Sequence, residues 1–193
     1  MNRFQRFHGT DTLHGRFKSA VANSPKRTIL THPGKAHRDE FISCCLLIAA
    51  GQADRVERRD ATEKDLDDSE VIVLDQGGRH QPELMNFDHH QFERDAAPAC
   101  SITLVLPLLG VDAEVARSIW GWLEFTERMD SKGPFATAKA LGLTPDALLA
   151  SASPTVLRWF QEQETLGESS PLWGLMERIG KEKLQRFNKA ATN

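Results

Sequence analysis

Two stretches of the chain collect histidines and carboxylates at spacings that suit a metal site. The first lies between residues 31 and 40, the second is an Asp-His-His triplet, and a lone aspartate follows an apolar run between them. In chain order these residues are His32, His37, Asp39, Glu40, Asp75, Asp88, His89 and His90. Adjacent imidazoles are costly to bury unless every ring nitrogen finds a partner, and a metal ion provides one. Mixed imidazole and carboxylate ligands favour Mn, with Co, Fe, Zn or Mg as alternatives.

The elements around these residues have the pattern of an α/β protein with an open, mostly parallel sheet. The expected strands and helix cover residues 27–31, 38–50, 55–58 and 71–74, where 38–50 is the helix and Gly51 closes it. His32 and Asp75 then lie at strand ends, and His37 and Asp39 lie at the start of the helix. Because ligands bind at the carboxyl ends of such strands, we expect these donors to converge there, with Asp75 able to bridge two ions.

The second half of the chain has a helical pattern. We expect Pro107 to kink the first segment and a helix to run from about residue 113 to residue 128 after a capping Asp112. Further helices are predicted to begin at the pairs Thr144-Pro145, Ser153-Pro154 and Ser170-Pro171. The sequence thus divides into a basic arm (1–25), an α/β domain (26–135) and a short α-helical C-terminal part (136–193) that serves as a cap or an interaction segment.

Composition limits the class of protein. The chain has 193 residues, of which 40% are hydrophobic and 26% charged, as in one compact globular domain. No apolar run approaches the roughly 18 residues of a membrane span, and the first residues lack the apolar core of a secretory signal. The three cysteines, Cys44, Cys45 and Cys100, predict reduced core residues and no disulfide framework. We therefore expect a soluble, cytoplasmic protein, whose basic arm either contacts a polyanion or is a solvated tail.

Three ordered motifs resemble a known family. They are Thr31-His32-Pro33-Gly34-Lys35-Ala36-His37-Arg38-Asp39-Glu40, Asp75-Gln76-Gly77-Gly78 and Asp88-His89-His90. In order and spacing they are similar to motifs of the DHH phosphoesterase superfamily, and within it to the melanocyte-proliferating-gene (Myg) family of metal-dependent hydrolases, which is associated with RNA exonuclease activity. The resemblance covers roughly residues 27 to 135.

The resemblance implies a role for each matched residue. It makes Asp75 the bridging ligand of a site for two divalent metal ions, whose other ligands are His32, His37, Asp39, His89 and Asp130. Asp130 lies in a segment that departs from the family pattern, so the alternative is a surface aspartate at a helix end. The resemblance also makes Asp75, Asp88 and His90 the catalytic residues, with His90 on the substrate phosphate and Asp88 orienting a ligating imidazole. Glu40 either supports a ligand or caps the helix.

Two cations within the first motif are further candidates for binding substrate. Lys35 and Arg38 are placed to bind phosphate oxygens, and the alternative is that both are exposed charges on a loop and a helix start. Family members carry a C-terminal domain that closes over the site. The residues after 135 are too few for that domain, so the resemblance implies a short form with a reduced cap or a homodimer contact through the C-terminal helices.

These observations predict a Mn-dependent phosphoesterase, an exonuclease-like hydrolase of a phosphodiester in short RNA, an oligonucleotide end or a small nucleotide. Two divalent ions would activate a water, so that no nucleophilic side chain is needed. The alternative is a non-catalytic module that kept the scaffold and binds a metal, a nucleotide or a partner protein. A third interpretation is an unrelated α/β protein with structural histidines.

Overall fold

The computed structural model describes residues 26–93, 95–150 and 155–191. A six-stranded sheet forms its centre. The strands are β1 (Arg27–Thr31), β2 (Ala53–Arg58), β3 (Val71–Leu74), β4 (His80–Gln81), β5 (Asn86–Phe87) and β6 (Thr165–Gly167). They lie side by side in the order β4-β5-β3-β1-β2-β6.

The sheet is mixed. β1 pairs in parallel with β2 and with β3, and β3 pairs in parallel with β5. The two edge strands are antiparallel to their neighbours, β6 to β2 and β4 to β5. The predicted α/β class is confirmed, and the expected mostly parallel sheet is found as a mixed sheet with parallel inner strands.

The register of the inner strands brings three chain segments to one edge of the sheet. Thr31 at the end of β1 lies opposite Leu74 at the end of β3, and Leu74 lies opposite Phe87 at the end of β5. Because the three strands are parallel, the residues that follow them leave the sheet side by side. Their side chains are the ones that the sequence singled out for chemistry.

Helices cover the sheet. They are α1 (Arg38–Ala49), α2 (Glu63–Leu66), α3 (Ser101–Val105), α4 (Ala113–Ile119), α5 (Leu123–Leu141), α6 (Pro145–Ala150), α7 (Thr155–Gln161) and α8 (Pro171–Ala191). Among the described residues, none of these helices has both the length and the apolar character that crossing a membrane requires.

Alternation along the central strands divides the core between the two faces of the sheet. Ile29 and Ile72 belong to the main core, which α1, α3 and α8 help to form. Leu30 and Val73 pack with Leu66 of α2 in a smaller cluster. Burial on both faces explains why β3 is apolar without interruption and why Ile29 and Leu30 are adjacent apolar residues in β1.

The structure corrects the predicted helix over residues 113–128. Two helices, α4 and α5, are separated by Trp120, Gly121 and Trp122. Trp120 leaves the helical conformation at φ −101° and ψ 76°. Its buried indole stacks on that of Trp122 with ring planes 4° apart, and Gly121 is a poor helix former, so indole packing overrides the helical pattern. Pro107 interrupts the preceding segment as predicted, because α3 is followed by a 3-10 turn over Pro107–Leu109.

The C-terminal residues are built into the same core. β6 extends the sheet at β2, and α8 packs along α1 and buries Trp173, Met176 and Phe187. Thr144-Pro145 and Ser170-Pro171 precede α6 and α8 as predicted. Ser153-Pro154 and the basic arm (1–25) lie outside the described residues.

All three cysteines are free and buried, as the sequence predicts. Burial raises the pKa of each thiol well above its ordinary value, which keeps the thiols protonated and unreactive. Cys44 and Cys45 lie in α1, and Cys100 precedes α3, so these residues serve as apolar packing groups.

Candidate metal centre

The ends of the three parallel strands supply the first residues of the site. His32 follows β1, Asp75 follows β3, and Asp88 follows β5. The register of the three strands therefore fixes the distances between the backbones of these residues. The glycine-containing loop after His32 then returns the chain to the same edge and starts α1.

Asp75 lies at the centre of the site, and its two carboxylate oxygens face different histidines. Oδ2 is 3.5 Å from His32 Nε2 and 3.9 Å from His37 Nδ1. Oδ1 is 3.1 Å from His89 Nε2 and 3.8 Å from His90 Nδ1. The Asp75 side chain is fully buried, so this carboxylate separates two groups of imidazoles.

The first turn of α1 brings two further carboxylates to the site. His37 is the N-cap residue, and Glu40 Oε1 accepts a hydrogen bond from its backbone N–H at 3.3 Å. The other oxygen of Glu40 contacts His32 Nε2. Glu40 thus combines both roles that the sequence left open, a helix cap and a partner of a candidate ligand.

Asp39 is buried on the far side of that turn against the start of α3. Its Oδ2 accepts hydrogen bonds from the Ser101 hydroxyl at 2.8 Å and from the Ser101 backbone N–H at 3.2 Å. Ser43 in α1 holds the same hydroxyl, with its own oxygen at 3.1 Å. The remaining oxygen, Asp39 Oδ1, accepts no hydrogen bond from the described residues.

The three residues of the Asp-His-His triplet after β5 have different contacts. Asp88 Oδ1 lies 2.7 Å from His90 Nδ1, and Oδ2 accepts a hydrogen bond from the Gly78 backbone N–H at 2.7 Å. The imidazole that Asp88 orients is therefore that of His90, whereas the ring of His89 points to Asp75. The His90 ring is 59% exposed and the His89 ring only 4%.

Asp130 reaches the site from the first part of α5, shortly before the helix breaks at Gly133. Its Oδ2 is 2.5 Å from His89 Nε2, and its Oδ1 is 3.9 Å from His37 Nδ1. Its side chain is 11% exposed, and the helix continues to Leu141, with a break at Gly133. Asp130 thus lies beside the predicted ligands, in the last helical turn before this break, with its side chain mostly buried.

Charge around the site shifts the pKa values of its members in opposite directions. Contacts with Asp75 and Glu40 raise the pKa of His32 to about 11. Burial lowers the pKa of His89, but Asp130 and Asp75 outweigh burial and raise it to about 10. Burial acts to raise the pKa of Asp75, and the surrounding imidazoles overcome this and hold it well below its ordinary value.

The pKa of Asp39 is raised, in contrast to that of Asp75. Burial, and then the negative charges of Asp75 and Asp130, raise it to about 8, although Ser101 acts against this shift. Acids that repel one another in a buried space are stabilised by sharing a cation. Without a metal ion, protons on the imidazoles and on Asp39 fill this role at neutral pH.

The donor set fits a metal ion. Three groups, which all share Asp75, each bring one donor atom per member within 4.8 Å of one another. They are His32, His37, Glu40 and Asp75; Asp75, Asp88, His89 and His90; and His37, Asp39, Asp75 and Asp130. Asp39 Oδ1 is buried and accepts no hydrogen bond among the described residues. Three further buried oxygens, one each of Glu40, Asp75 and Asp130, have only imidazole nitrogens as ion-pair partners. A divalent cation would supply a partner for Asp39 and could replace the protons between the other carboxylates and the imidazoles.

The two predicted phosphate-binding cations are not joined to this cluster. Lys35 is exposed on the loop before α1. The guanidinium of Arg38 lies over the ring of Phe125, 5.8 Å from its centroid. Within the described part of the chain, no hydrogen bond or ion pair connects either side chain to the histidines or carboxylates of the site.

Sequence reasoning missed two residues that support the site, Ser101 and Arg58. Both contact first-motif residues from a distance in the chain, and neither lies in a recognisable motif. The available signal for Arg58 was a basic residue ending a predicted strand beside the one that leads to His32. For Ser101, only its position at the start of a helical segment marked it.

The fold and the site together define an α/β protein with a candidate metal centre of histidines and buried carboxylates. A model of one protein family, MYG1_exonuc, described as an uncharacterised protein family (UPF0160), matches residues 28–104. This match supports the resemblance to the Myg family. It spans β1 to α3 and includes every candidate ligand except Asp130. No curated protein and no solved structure matches the chain.

Proposed function

We propose that the protein is a divalent-metal-dependent phosphoesterase of the DHH type, which hydrolyses a phosphodiester in short RNA, an oligonucleotide end or a small nucleotide. The observation that carries this proposal is the position of Asp75. Its two oxygens face separate sets of imidazoles, as a carboxylate shared by two ions requires.

The ligands divide between the two sides of Asp75. His32 lies on the Oδ2 side of Asp75, and His89 lies on its Oδ1 side. Asp130 lies between the two sides, because one of its oxygens faces His37 and the other faces His89. Asp39 completes the set as a buried carboxylate fixed by Ser101. Mn suits this mixture of imidazole and carboxylate donors. Two such ions would lower the pKa of a water and stabilise the charge that develops during in-line phosphoryl displacement.

His90 binds the substrate phosphate. Asp88 contacts its Nδ1 and raises the pKa of the ring, which favours an imidazolium that donates to an anion. The exposed ring is open to solvent, as a substrate contact must be. Lys35 and Arg38 are proposed as further phosphate-binding groups.

The name of the matching family supports the choice of substrate. It refers to exonuclease activity, which is hydrolysis of a terminal phosphodiester of a nucleic acid. A cytoplasmic location and a homodimer contact through the C-terminal helices stay predictions. Because α8 already packs against α1, such a contact would use its solvent-facing side.

The test compares Asp75→Asn with Asp54→Asn, an exposed aspartate of β2. Hydrolysis is measured with and without Mn on labelled short RNA, dinucleotides and a chromogenic phosphodiester. We expect Asp75→Asn to lose at least about 100-fold in turnover with a cooperative melt, since a ligand lies closer to the chemistry than the supporting groups whose loss costs 10–100-fold. Asp54→Asn should match the wild type.

Two results would count against the proposal. Undiminished turnover in Asp75→Asn would contradict the assigned site. Tight Mn binding by the wild type with no hydrolysis of any of these substrates would favour the non-catalytic binding module.

A further inference from the structure

Arg58 is a buried cation at the end of β2, outside every motif that the function uses. Its side chain is 2% exposed. Arginine is seldom buried without specific partners, because removing the guanidinium from water is costly. The partners of the Arg58 guanidinium therefore indicate its structural role.

The guanidinium joins three separate segments around the metal centre. Its Nη2 donates to the carbonyls of His32 and Gly34, at 3.0 and 3.2 Å, and to Glu40 Oε1 at 3.3 Å. Its Nη1 donates to the carbonyl of Gln161 at 2.9 Å. The loop after β1, the first turn of α1 and the end of α7 thus share one side chain.

Two further contacts hold the guanidinium and the loop in place. Arg58 stacks over the ring of Phe160, 4.9 Å from the centroid. The side-chain oxygen of Gln161 accepts a hydrogen bond from the backbone N–H of Ala36 at 3.1 Å. The loop between His32 and His37 is therefore held from its carbonyl side by Arg58 and from its N–H side by Gln161.

The held loop determines which nitrogen His32 offers to the centre. His32 Nδ1 lies 2.8 Å from the carbonyl of Pro33, and because a carbonyl only accepts, Nδ1 carries a proton. Nε2 is then directed to Asp75 and Glu40. Because Arg58 binds the carbonyls on both sides of Pro33, it fixes the loop geometry that sets this orientation.

We propose that Arg58 is a positioning residue for the His32–Glu40 side of the metal centre, and that it couples this side to α7 through Gln161. The proposal rests on the metal centre of the proposed function. Arg58 is not one of the candidate ligands; it orients His32 through the loop and holds Glu40 Oε1, so that the other oxygen of Glu40 is directed at His32. Supporting groups of this kind tune metal affinity.

The experiment measures Mn binding by calorimetry in Arg58→Lys, Arg58→Ala and, as a matched control, Arg55→Lys. Arg55 is on the same strand, but its side chain is 52% exposed and pairs with Glu57. Lysine keeps the charge and cannot reproduce the fork of donors. In Arg58→Lys we expect the Kd of one Mn ion to rise about 10–100-fold while the other ion binds as in the wild type. Arg55→Lys should be unchanged.

Chemical rescue separates positioning from general packing. Millimolar guanidinium should restore the lost Mn site in Arg58→Ala, whereas ethylammonium should not, because only guanidinium supplies the planar donors. Should Arg58→Ala not fold, Gln161→Ala supplies the second measurement, since it removes only the loop contact at Ala36. It should weaken the same Mn ion to a smaller extent.

An unchanged Mn titration in Arg58→Lys would overturn the inference and leave the proposed function standing. Equal weakening of both ions without guanidinium rescue would also overturn it, since that result describes a packing role. A wild type that binds no Mn would instead refute the proposed function itself, and with it this inference.

Discussion

At the scale of single residues, the backbone of Asp75 explains much of the site. Asp75 has φ 56°, in the left-handed region that aspartate tolerates better than most residues. Gly77 follows with φ 90°, and a Cβ there would lie 2.6 Å from Leu66 Cδ2. The chain must therefore turn sharply after β3, and this turn aims the backbone N–H of Gly78 at Asp88. The glycines of the second motif serve this geometry.

Predicted strand ends and a helix start indicated that His32, His37, Asp39 and Asp75 converge. The roles of His89 and Asp130 as ligands came only from the family resemblance. The sequence could not predict the supports of these residues. Ser101 contacts Asp39 across 62 positions of the chain, and Arg58 contacts His32 across 26. Nothing local in the sequence encodes contacts of this range, since they arise only when the sheet and helices are packed.

The pKa shifts at the site predict that Mn binding releases protons. His32 and His89, with pKa values raised to about 11 and about 10, are protonated at pH 7 without metal, and a histidine or carboxyl group must lose its proton to bind a metal ion. Asp39, raised to about 8, is also largely protonated. We expect about two or more protons to be released per chain at pH 7, and apparent affinity to increase from pH 6 to pH 9.

Calorimetry in buffers of different ionisation enthalpy measures this release. His80→Gln is the matched control, because His80 is an exposed histidine outside the cluster, and its proton release should equal that of the wild type. Mn binding that releases no protons and does not vary with pH would contradict the assignment of the histidines as ligands.

Among the secondary-structure elements, some are predicted by local sequence pattern and others form only through tertiary packing. β3 was predictable from its continuous apolar run, β1 from its adjacent apolar residues between β-branched threonines, and α1 from its apolar stretch and the closing Gly51. β4, β5 and β6 have two or three residues each and exist only through pairing with a neighbour. The break between α4 and α5 depends on the stacking of two indoles, which a helical pattern does not reveal.

The close crossing of α1 and α8 predicts that a side chain at Gly180 destabilises the protein. A Cβ on Gly180 would lie 1.9 Å from the carbonyl oxygen of Cys45, so the two helices meet at a residue with no side chain. Gly180→Ala should lower the free energy of unfolding by about 1–3 kcal/mol, because backbone must move to admit the methyl group. For a chain of this size this corresponds to a fall in Tm of roughly 2–12 °C.

Gly174→Ala in the same helix is the control for the Gly180 substitution. Nothing lies within 4 Å of a Cβ at Gly174. Since alanine is the better helix former by about 1 kcal/mol, its Tm should be unchanged or higher. Equal melting temperatures for the two variants, measured by circular dichroism, would show that the helices do not cross as described.

At the scale of the whole molecule, the C-terminal residues and the metal centre share one framework. α8 packs along α1, whose N-cap is His37 and whose first turn carries Asp39 and Glu40. β6 pairs with β2, which ends at Arg58. The elements after residue 135 therefore support the site from behind, through the helix and the strand that carry its residues.

The number of Mn ions bound per chain tests this account most directly. Protein equilibrated with Mn and freed of excess metal is analysed for its metal content, in the wild type and in Asp75→Asn. We predict two ions per wild-type chain, at most one in Asp75→Asn, and a higher Tm of the wild type with Mn, because a ligand of the folded state stabilises it. A wild type that retains no Mn and melts at the same temperature with and without it would contradict the account.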